Sequence, residues 1–378
     1  MIFVFNFLKL NMDRIFSYSW SINEEEENLT EIRIWGLNYN NKSVCLKIRD
    51  FSPYIYLELP DNYDYFRNMH LITEIRNKIS SICGKNNEPL GAELVKKKKL
   101  YGARIDNNKK QIYFPYLKLW FATKNQIKQF SWKCKKWYTI IGIGRIKFKI
   151  HEDNATPILQ LVCNQNIPTA GWISFPKKDV DKDKDTYCDF EYTLSYKHLK
   201  RVKLETIVKP LILSFDIEVN SGNPNRFPNA DKPTDKIFQI SSIIWREGGI
   251  SKKILLSLGN PIKCGKDVEI IHCDNEANLL LKFRDIIITY NPQILVGYNI
   301  LGFDLPYMIK RCEYPCYCKN IFNKLGLIKD KYYEDKKISW SSSAYKNQEF
   351  EFIDLDGRIF VDLLPLVQRD YKFDQYTL

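Results

Sequence analysis

Asp216 and Glu218, separated only by Ile217, stand near the end of an apolar run in the stretch KPLILSFDIEVNSGN. Such a run reads as a buried strand, and residues two apart in a strand project from one face. Two carboxylates side by side at the margin of a core repel each other and lose solvation, so they require a cation or a proton. A second segment, LVGYNILGFDLPYM, reads as a strand ending at Asn299, then Phe303 and Asp304 at the start of a helix with Pro306 in its first turn. Asp304 can be a simple N-cap there. Strand ends of open α/β sheets are also where ligands bind, so Asp304 can instead converge on the pair. Three convergent oxygen ligands suit Mg²⁺ or Mn²⁺, and two such ions can clamp the attacking water and leaving oxygen of a phosphodiester.

The elements that must position these acids are written in the second half. TIVKPLILSFDIEV, KIFQISSIIW, KKILLSLGN, ILVGYN and GRIFVDLL read as strands, and NSGNPNRFPNADKPTD as a loop. NEANLLLKFRDIIITYNP reads as a helix capped by Asn275, with Leu279, Leu280, Phe283, Ile286 and Ile287 as its apolar stripe. FDLPYMIKRC and PLVQRDY open two more helices. Strands alternating with helices predict a mixed-sheet α/β domain over 206–378. Residues 1–205 read instead as a β-rich α+β domain, with strands in FSYSWSI, TEIRIWGL, SVCLKIRDF, YIYLELP and GRIKFKI. There Phe66, Leu71, Ile75 and Ile79 give helical spacing to Asp64–Cys83, and KKDVDKDKDTY reads as a charged surface loop.

Lysine and arginine outnumber the acids 57 to 45, a formal charge of +12 that points to an anionic partner such as nucleic acid. The basic clusters are Lys96, Lys97, Lys98 and Lys99, and KCKKW at Lys133–Trp137; Glu24–Glu27 is a short acidic run. Each such run, taken alone, is a solvated face. Lys147 and Lys149 share a face if RIKFKI is one strand. Ten cysteines are scattered, and the C-x3-C-x-C spacing of Cys312, Cys316 and Cys318 matches no common zinc pattern, so reduced thiols in an intracellular protein are expected. The opening MIFVFNFLKLNM lacks a basic leader and a cleavage site, and Met12 is an alternative start. No apolar run approaches the roughly 20 residues of a membrane-spanning helix.

Taken together, SFDIEV, GYNILGFDLPYMIKRC and GRIFVDLLPLVQRDYKFDQYTL resemble, in order and spacing, the exonuclease region of family B DNA polymerases, above all delta-type enzymes and those of large DNA viruses. FSPYIYLELP, YFPYLKLWFAT and TAGWISFP are more weakly similar to the family's N-terminal domain. The resemblance implies a ribonuclease-H-like 3′–5′ proofreading domain. Asp216, Glu218 and Asp304 would hold two Mg²⁺ or Mn²⁺ ions, Asn299 would support the strand or the substrate end, and Phe303 would pack beneath the site. Asp362, in a later strand that the family does not use for metal, is expected to be structural. The implied partners are a primer-template or single-stranded 3′ end, the remaining polymerase segment and a processivity factor, in the nucleus or a cytoplasmic viral factory. Lys96–Lys99, Lys147 and Lys149 are candidate contacts to the DNA backbone.

The pattern departs from the family at one point. Its third motif, Y-x3-D, follows the GRIFVDLL strand; here the nearest mimic, Tyr345-x3-Glu349, precedes it, and the sequence reaches Leu378 first. The expectation is therefore a chain cut within the exonuclease fold, without palm, fingers or thumb, and little active alone. A stand-alone 3′–5′ exonuclease and a non-catalytic DNA-binding module are the competing classes.

Overall fold

The computed structural model describes residues 12–24, 29–85, 87–99, 101–223, 225–261, 265–342 and 346–377. The opening apolar residues, Glu25–Glu27 and Tyr345 lie outside them. Three sheets organise the chain. The first has six strands in the order Phe190–Leu194, Ser43–Ile48, Glu31–Leu37, Met12–Asn23, Gly171–Pro176, Lys200–Arg201. Two of its inner strands, Glu31–Leu37 and Ser43–Ile48, are buried along their whole length, which sequence alternation alone does not show.

That burial includes charges. Arg33 and Lys47 are 1% and 4% exposed, so each needs a carboxylate close by. Asp185 supplies one oxygen to Arg33 at 2.6 Å and the other to Lys47 at 2.9 Å, while Glu31 pairs with Arg33 and Glu191 with Lys47. Asp185 lies in KKDVDKDKDTY, expected as a solvated loop. The end of that stretch instead caps the sheet and continues into the second half, where Tyr187 N–H donates to Leu327 O at 2.8 Å and Lys329 N–H to Asp185 O at 2.8 Å. The unmet need of two buried cations is what draws the loop inward.

A four-stranded antiparallel sheet is inserted between strands of the first. Its order is Gly91–Lys97, Phe114–Trp120, Tyr54–Glu58, Lys149–His151. Helices Met69–Cys83 and Lys124–Lys133 pack on one face through Leu71, Ile75, Ile79, Ile127 and Phe130. The chain order strand–helix–strand–strand–helix–strand is that of a ferredoxin-like unit. Two expectations are corrected here. The helix begins at Met69, and Phe66 lies outside it, 46% exposed, because Asp64 turns the preceding segment by accepting from Arg67 N–H and Asn68 N–H. GRIKFKI is not one strand: Lys147 pairs in a hairpin with Trp137, while Lys149 joins the four-stranded sheet opposite Glu58. Phe148 between them turns into the core at 5% exposure and breaks the strand, so the two lysines belong to different sheets.

The third sheet is mixed, in the order Val268–Cys273, Gly249–Leu258, Ile237–Arg246, Ile212–Val219, Ile294–Gly297, Ile359–Asp362. Ile212–Val219 is central, antiparallel to Ile237–Arg246 and parallel to Ile294–Gly297. The helix Glu276–Tyr290, capped by Asn275, covers one face with all five stripe residues buried. Phe215 meets Phe283 there at 5.1 Å between ring centroids, which sends Asp216 and Glu218 to the other face. The strand Val268–Cys273 and the hairpin Asp335–Ser342 with Lys346–Ile353 complete the fold and have no clear sequence signature.

The Asp185 arrangement generates a pH dependence. Burial alone would raise its carboxyl, but Lys47 and Arg33 hold it at about 2 against an ordinary value near 4. Its stabilisation is then present above pH ~4 and is lost as pH falls from about 4 to 2. Asp185→Asn should lower the thermal midpoint at pH 7, and the gap from wild type should close by about pH 2, measured by circular dichroism melts across that range.

Candidate functional site

Asp216 and Glu218 are both exposed, on the sheet face away from helix Glu276–Tyr290, while Ile217 between them is 5% exposed on the covered face. Asp304 reaches the strand's backbone between them. The chain leaves strand Ile294–Gly297, enters the left-handed region at Asn299 with φ 60°, and makes one wide helical turn over Ile300–Asp304 before helix Leu305–Glu313. Two glycines permit this path. A Cβ on Gly297 would lie 2.7 Å from Phe215 O, and one on Gly302 would lie 2.5 Å from Asn299 Oδ1.

Asp362 fixes the turn. Its carboxylate accepts from Asn299 N–H at 2.8 Å, Leu301 N–H at 2.9 Å and Leu364 N–H at 3.0 Å. It is thus an N-cap for helix Leu363–Asp370 and a clamp on the turn, in keeping with a structural role. Asp304, in contrast, makes no side-chain cap bond to its own helix. Its Oδ1 accepts from Ile217 N–H at 3.1 Å, so the carboxylate sits against the backbone between Asp216 and Glu218.

The electrostatics of this placement are unfavourable. Asp304 is 2% exposed. Burial, then the nearby Asp216 carboxylate, push its carboxyl up to about 7 despite the Ile217 amide; Asp362 adds to the rise. Asp216 is itself raised by burial. No lysine or arginine ion pair to Asp216, Glu218 or Asp304 is found among the described residues.

Whether a cation fits can be judged from these donors. They are hard carboxylate oxygens whose mutual repulsion a divalent ion would relieve. Among the described residues, however, no three acidic, histidine or cysteine side chains are already gathered as a metal cluster. The Asp304 oxygen held by Ile217 N–H is fixed, so Asp216 and Glu218 on the open face are the side chains that would close on an ion.

Around this edge the fold is firmly braced. Arg311 is fully buried and forms a bidentate pair with Glu276, with Nε–Oε1 at 2.8 Å; its Nη1 also donates to Ala230 O and Lys232 O. Glu276 accepts in addition from Ile237 N–H at 2.9 Å. The loop after Asp216 and Glu218 is held by buried Asp235, which accepts from Gly222 N–H, Asn229 N–H, Thr234 Oγ1 and Arg226 Nη2. These donors, the Asn229 amide foremost, hold its carboxyl well below the usual range. The sequence reading missed Asp235, Glu276 and Arg311; only burial distinguishes them from other charged residues. Phe303 is half-buried and meets Tyr307 and the 75%-exposed Phe227 of that loop, each at 5.5 Å.

The remaining candidates lie elsewhere. Lys96–Lys99 and Lys149 belong to the ferredoxin-like unit or its edge, and Lys147 to the adjoining hairpin. Glu349 is exposed on strand Lys346–Ile353, which packs by its C-terminal end against the turn bearing Asp304.

A central strand with two acids on its open face, a third acid from the next crossover and a mixed sheet backed by a helix define a ribonuclease-H-like exonuclease fold. Residues 148–378 match the model of the family B DNA polymerase exonuclease domain. The chain belongs to the family B DNA polymerases. It is 36% identical to DNA polymerase 120R of Invertebrate iridescent virus 3, over 96% of this chain and 33% of that protein. It is 30% identical to the DNA polymerase delta catalytic subunit of Plasmodium falciparum, over 92% of this chain and 32% of that protein. The chain therefore spans about a third of the length of these curated relatives. The family B DNA polymerase of Pyrobaculum calidifontis shares the fold, with TM-score 0.57, 15% identity, and coverage of 93% of this chain and 36% of that one. Exonuclease domains of this family are generally divalent-metal dependent.

Two variants separate clamp from carboxylate cluster. Asp362→Ala removes the acceptor of three amides and should cost about 1–3 kcal/mol in denaturant unfolding. Asp304→Asn keeps an acceptor for Ile217 N–H and removes the buried charge. The Asp304 carboxyl lies at about 7 when folded and near 4 when unfolded, so the metal-free wild type loses stability as pH rises through that window. Asp304→Asn should thus melt above the wild type at pH 8, with the difference shrinking towards pH 4.

Proposed function

We propose that this chain is the N-terminal and proofreading portion of a replicative DNA polymerase, removing nucleotides 3′ to 5′ from a single-stranded primer end. One observation carries the reading most: Asp304 is buried against the Ile217 amide beside Asp216, and no lysine or arginine among the described residues pairs with it. Asp216, Glu218 and Asp304 are the proposed ligands of two Mg²⁺ or Mn²⁺ ions. Bound there, the ions supply an activated water and neutralise the charge that develops on the phosphodiester. Asp304, its carboxyl raised to about 7, would have to be deprotonated to serve as a ligand, which would make metal affinity rise with pH near 7. Asp216 and Glu218 present their oxygens on the open face, where a strand end can approach. Asn299 shapes the turn that delivers Asp304, and Phe303 with exposed Phe227 offers an apolar surface to the terminal base.

Residues 206–378 are the proposed exonuclease unit and 1–205 the part that cradles template DNA. Lys96–Lys98, Lys147 and Lys149 are proposed phosphate contacts; Lys99 is already paired with Glu58 at 2.7 Å and contributes less. The rest of the polymerase and a processivity factor are the proposed protein partners. The setting is intracellular, in the nucleus or a cytoplasmic viral factory. Among the described residues no helix is long and apolar enough to cross a membrane.

The test is trimming of a 5′-labelled single strand in Mg²⁺, by this chain and by a version extended to its relatives' length. The extended protein should shorten the strand from its 3′ end, and Asp216→Ala should slow it at least 100-fold while leaving DNA binding in EDTA intact. Unchanged trimming in Asp216→Ala would overturn the assignment and direct attention to Glu349.

A further inference from the structure

The cysteine cluster Cys312, Cys316 and Cys318 takes no part in the exonuclease site. It spans the loop that joins helix Leu305–Glu313 to the short helix Lys319–Phe322. Two backbone bonds fold this loop back on its helix: Cys316 N–H donates to Arg311 O at 3.1 Å, and Cys318 N–H to Cys312 O at 2.8 Å. The second bond makes spatial neighbours of Cys312 and Cys318. The loop is at the surface, with Tyr314 and Tyr317 44% and 74% exposed and their rings edge to face at 5.8 Å.

The three thiols divide into a facing pair and one engaged elsewhere. Cys312 is fully buried and Cys318 nearly so, both in the core of the exonuclease unit. Their thiols hydrogen-bond each other: the Cys312 S–H donates, which lowers the Cys318 thiol, while burial pushes Cys312 up. Cys316 turns aside and hydrogen-bonds Glu276, the carboxylate that pairs with Arg311; burial, then that carboxylate, raise its thiol to about 12. Among the described residues no three such side chains gather as a metal cluster, so the facing pair is left to thiol chemistry.

We propose that Cys312 and Cys318 are a site of reversible oxidation by peroxide, forming a disulfide that staples this loop beside the Arg311–Glu276 pair. Residues joined by a backbone N–H···O bond have α-carbons near the roughly 4.4–6.8 Å that a disulfide spans, and their thiols already face each other. The Cys318 sulfur attacks one oxygen of hydrogen peroxide and becomes a sulfenic acid; the other oxygen leaves as water with the thiol proton. The Cys312 sulfur then displaces the sulfenic hydroxyl, which takes the second thiol proton and leaves as water. Two thiols lose two electrons and the peroxide gains them. A dithiol reverses the bond by exchange. The pair shares no residue with the proposed metal ligands, so the two assignments stand or fall separately.

Trypsin releases all three cysteines in one peptide, Cys312–Lys319, which makes the pairing readable by mass spectrometry. The full chain is treated with dilute hydrogen peroxide at neutral pH, denatured in iodoacetamide and digested without reductant. The peptide should carry a single carbamidomethyl group, placed on Cys316 by fragmentation, with the bridge seen as a loss of about 2 Da. Dithiothreitol before alkylation should restore three such groups. By circular dichroism the oxidised chain should melt above the reduced one, and dithiothreitol should remove the gain. Cys318→Ser should abolish bridge and gain, and Cys316→Ser neither; if Cys318→Ser fails to fold, the fragmentation pattern of the unaltered chain decides alone. A carbamidomethyl group on Cys312 or Cys318, or three groups after peroxide, overturns the pair. A bridge that leaves the melt unchanged or lowers it overturns the staple.

Discussion

A carboxylate held out of water beside another carboxylate is the constraint around which the second half of this chain is built. Asp304 accepts the Ile217 amide and cannot turn away from Asp216 without leaving that donor unpaired. Under the proposed function a divalent ion meets this charge, which burial and the neighbouring carboxylate otherwise make costly. The surrounding structure supplies the force that keeps it there. Asp362 draws three amides into the turn, and Gly297 and Gly302 let the backbone pass where side chains would collide.

The brace behind the site uses charge in the opposite way. Arg311, Glu276 and Asp235 are buried and fully engaged, joining the loop after Glu218, the start of strand Ile237–Arg246 and two helices. Removing one member of such a network leaves its partner buried and uncompensated, which is far more damaging than losing a surface pair. Rigidity on the covered side thus coexists with exposed acids on the open side that have no ion pair among the described residues. That division suits a site whose geometry must be fixed before its ligand arrives.

The N-terminal half follows the same economy of buried charge. Arg33 and Lys47 sit inside a sheet and recruit Asp185 from a stretch that composition marks as solvent-facing. Through that stretch the first sheet reaches the exonuclease unit, where Gly357 lies under Trp35 and its carbonyl accepts from the Tyr18 hydroxyl at 3.0 Å. The two halves therefore meet through specific polar contacts as well as apolar packing.

The sequence by itself determined most strands and helices of the exonuclease unit, though not Val268–Cys273 or the hairpin Asp335–Ser342 with Lys346–Ile353, because a period of two or 3.6 in apolar residues is a local property. It also determined that Asp216 and Glu218 share a face, since that follows from strand geometry alone. It left Asp304 ambiguous between cap and ligand, as both begin a helix; the Ile217 amide, 87 residues away, decided that its carboxylate faces the pair. Only tertiary packing separated Lys147 from Lys149, because the fate of Phe148 depends on a core assembled from distant segments. The same holds for Asp185, drawn against buried Arg33, and for buried Arg311, paired with Glu276: each partner is distant in sequence.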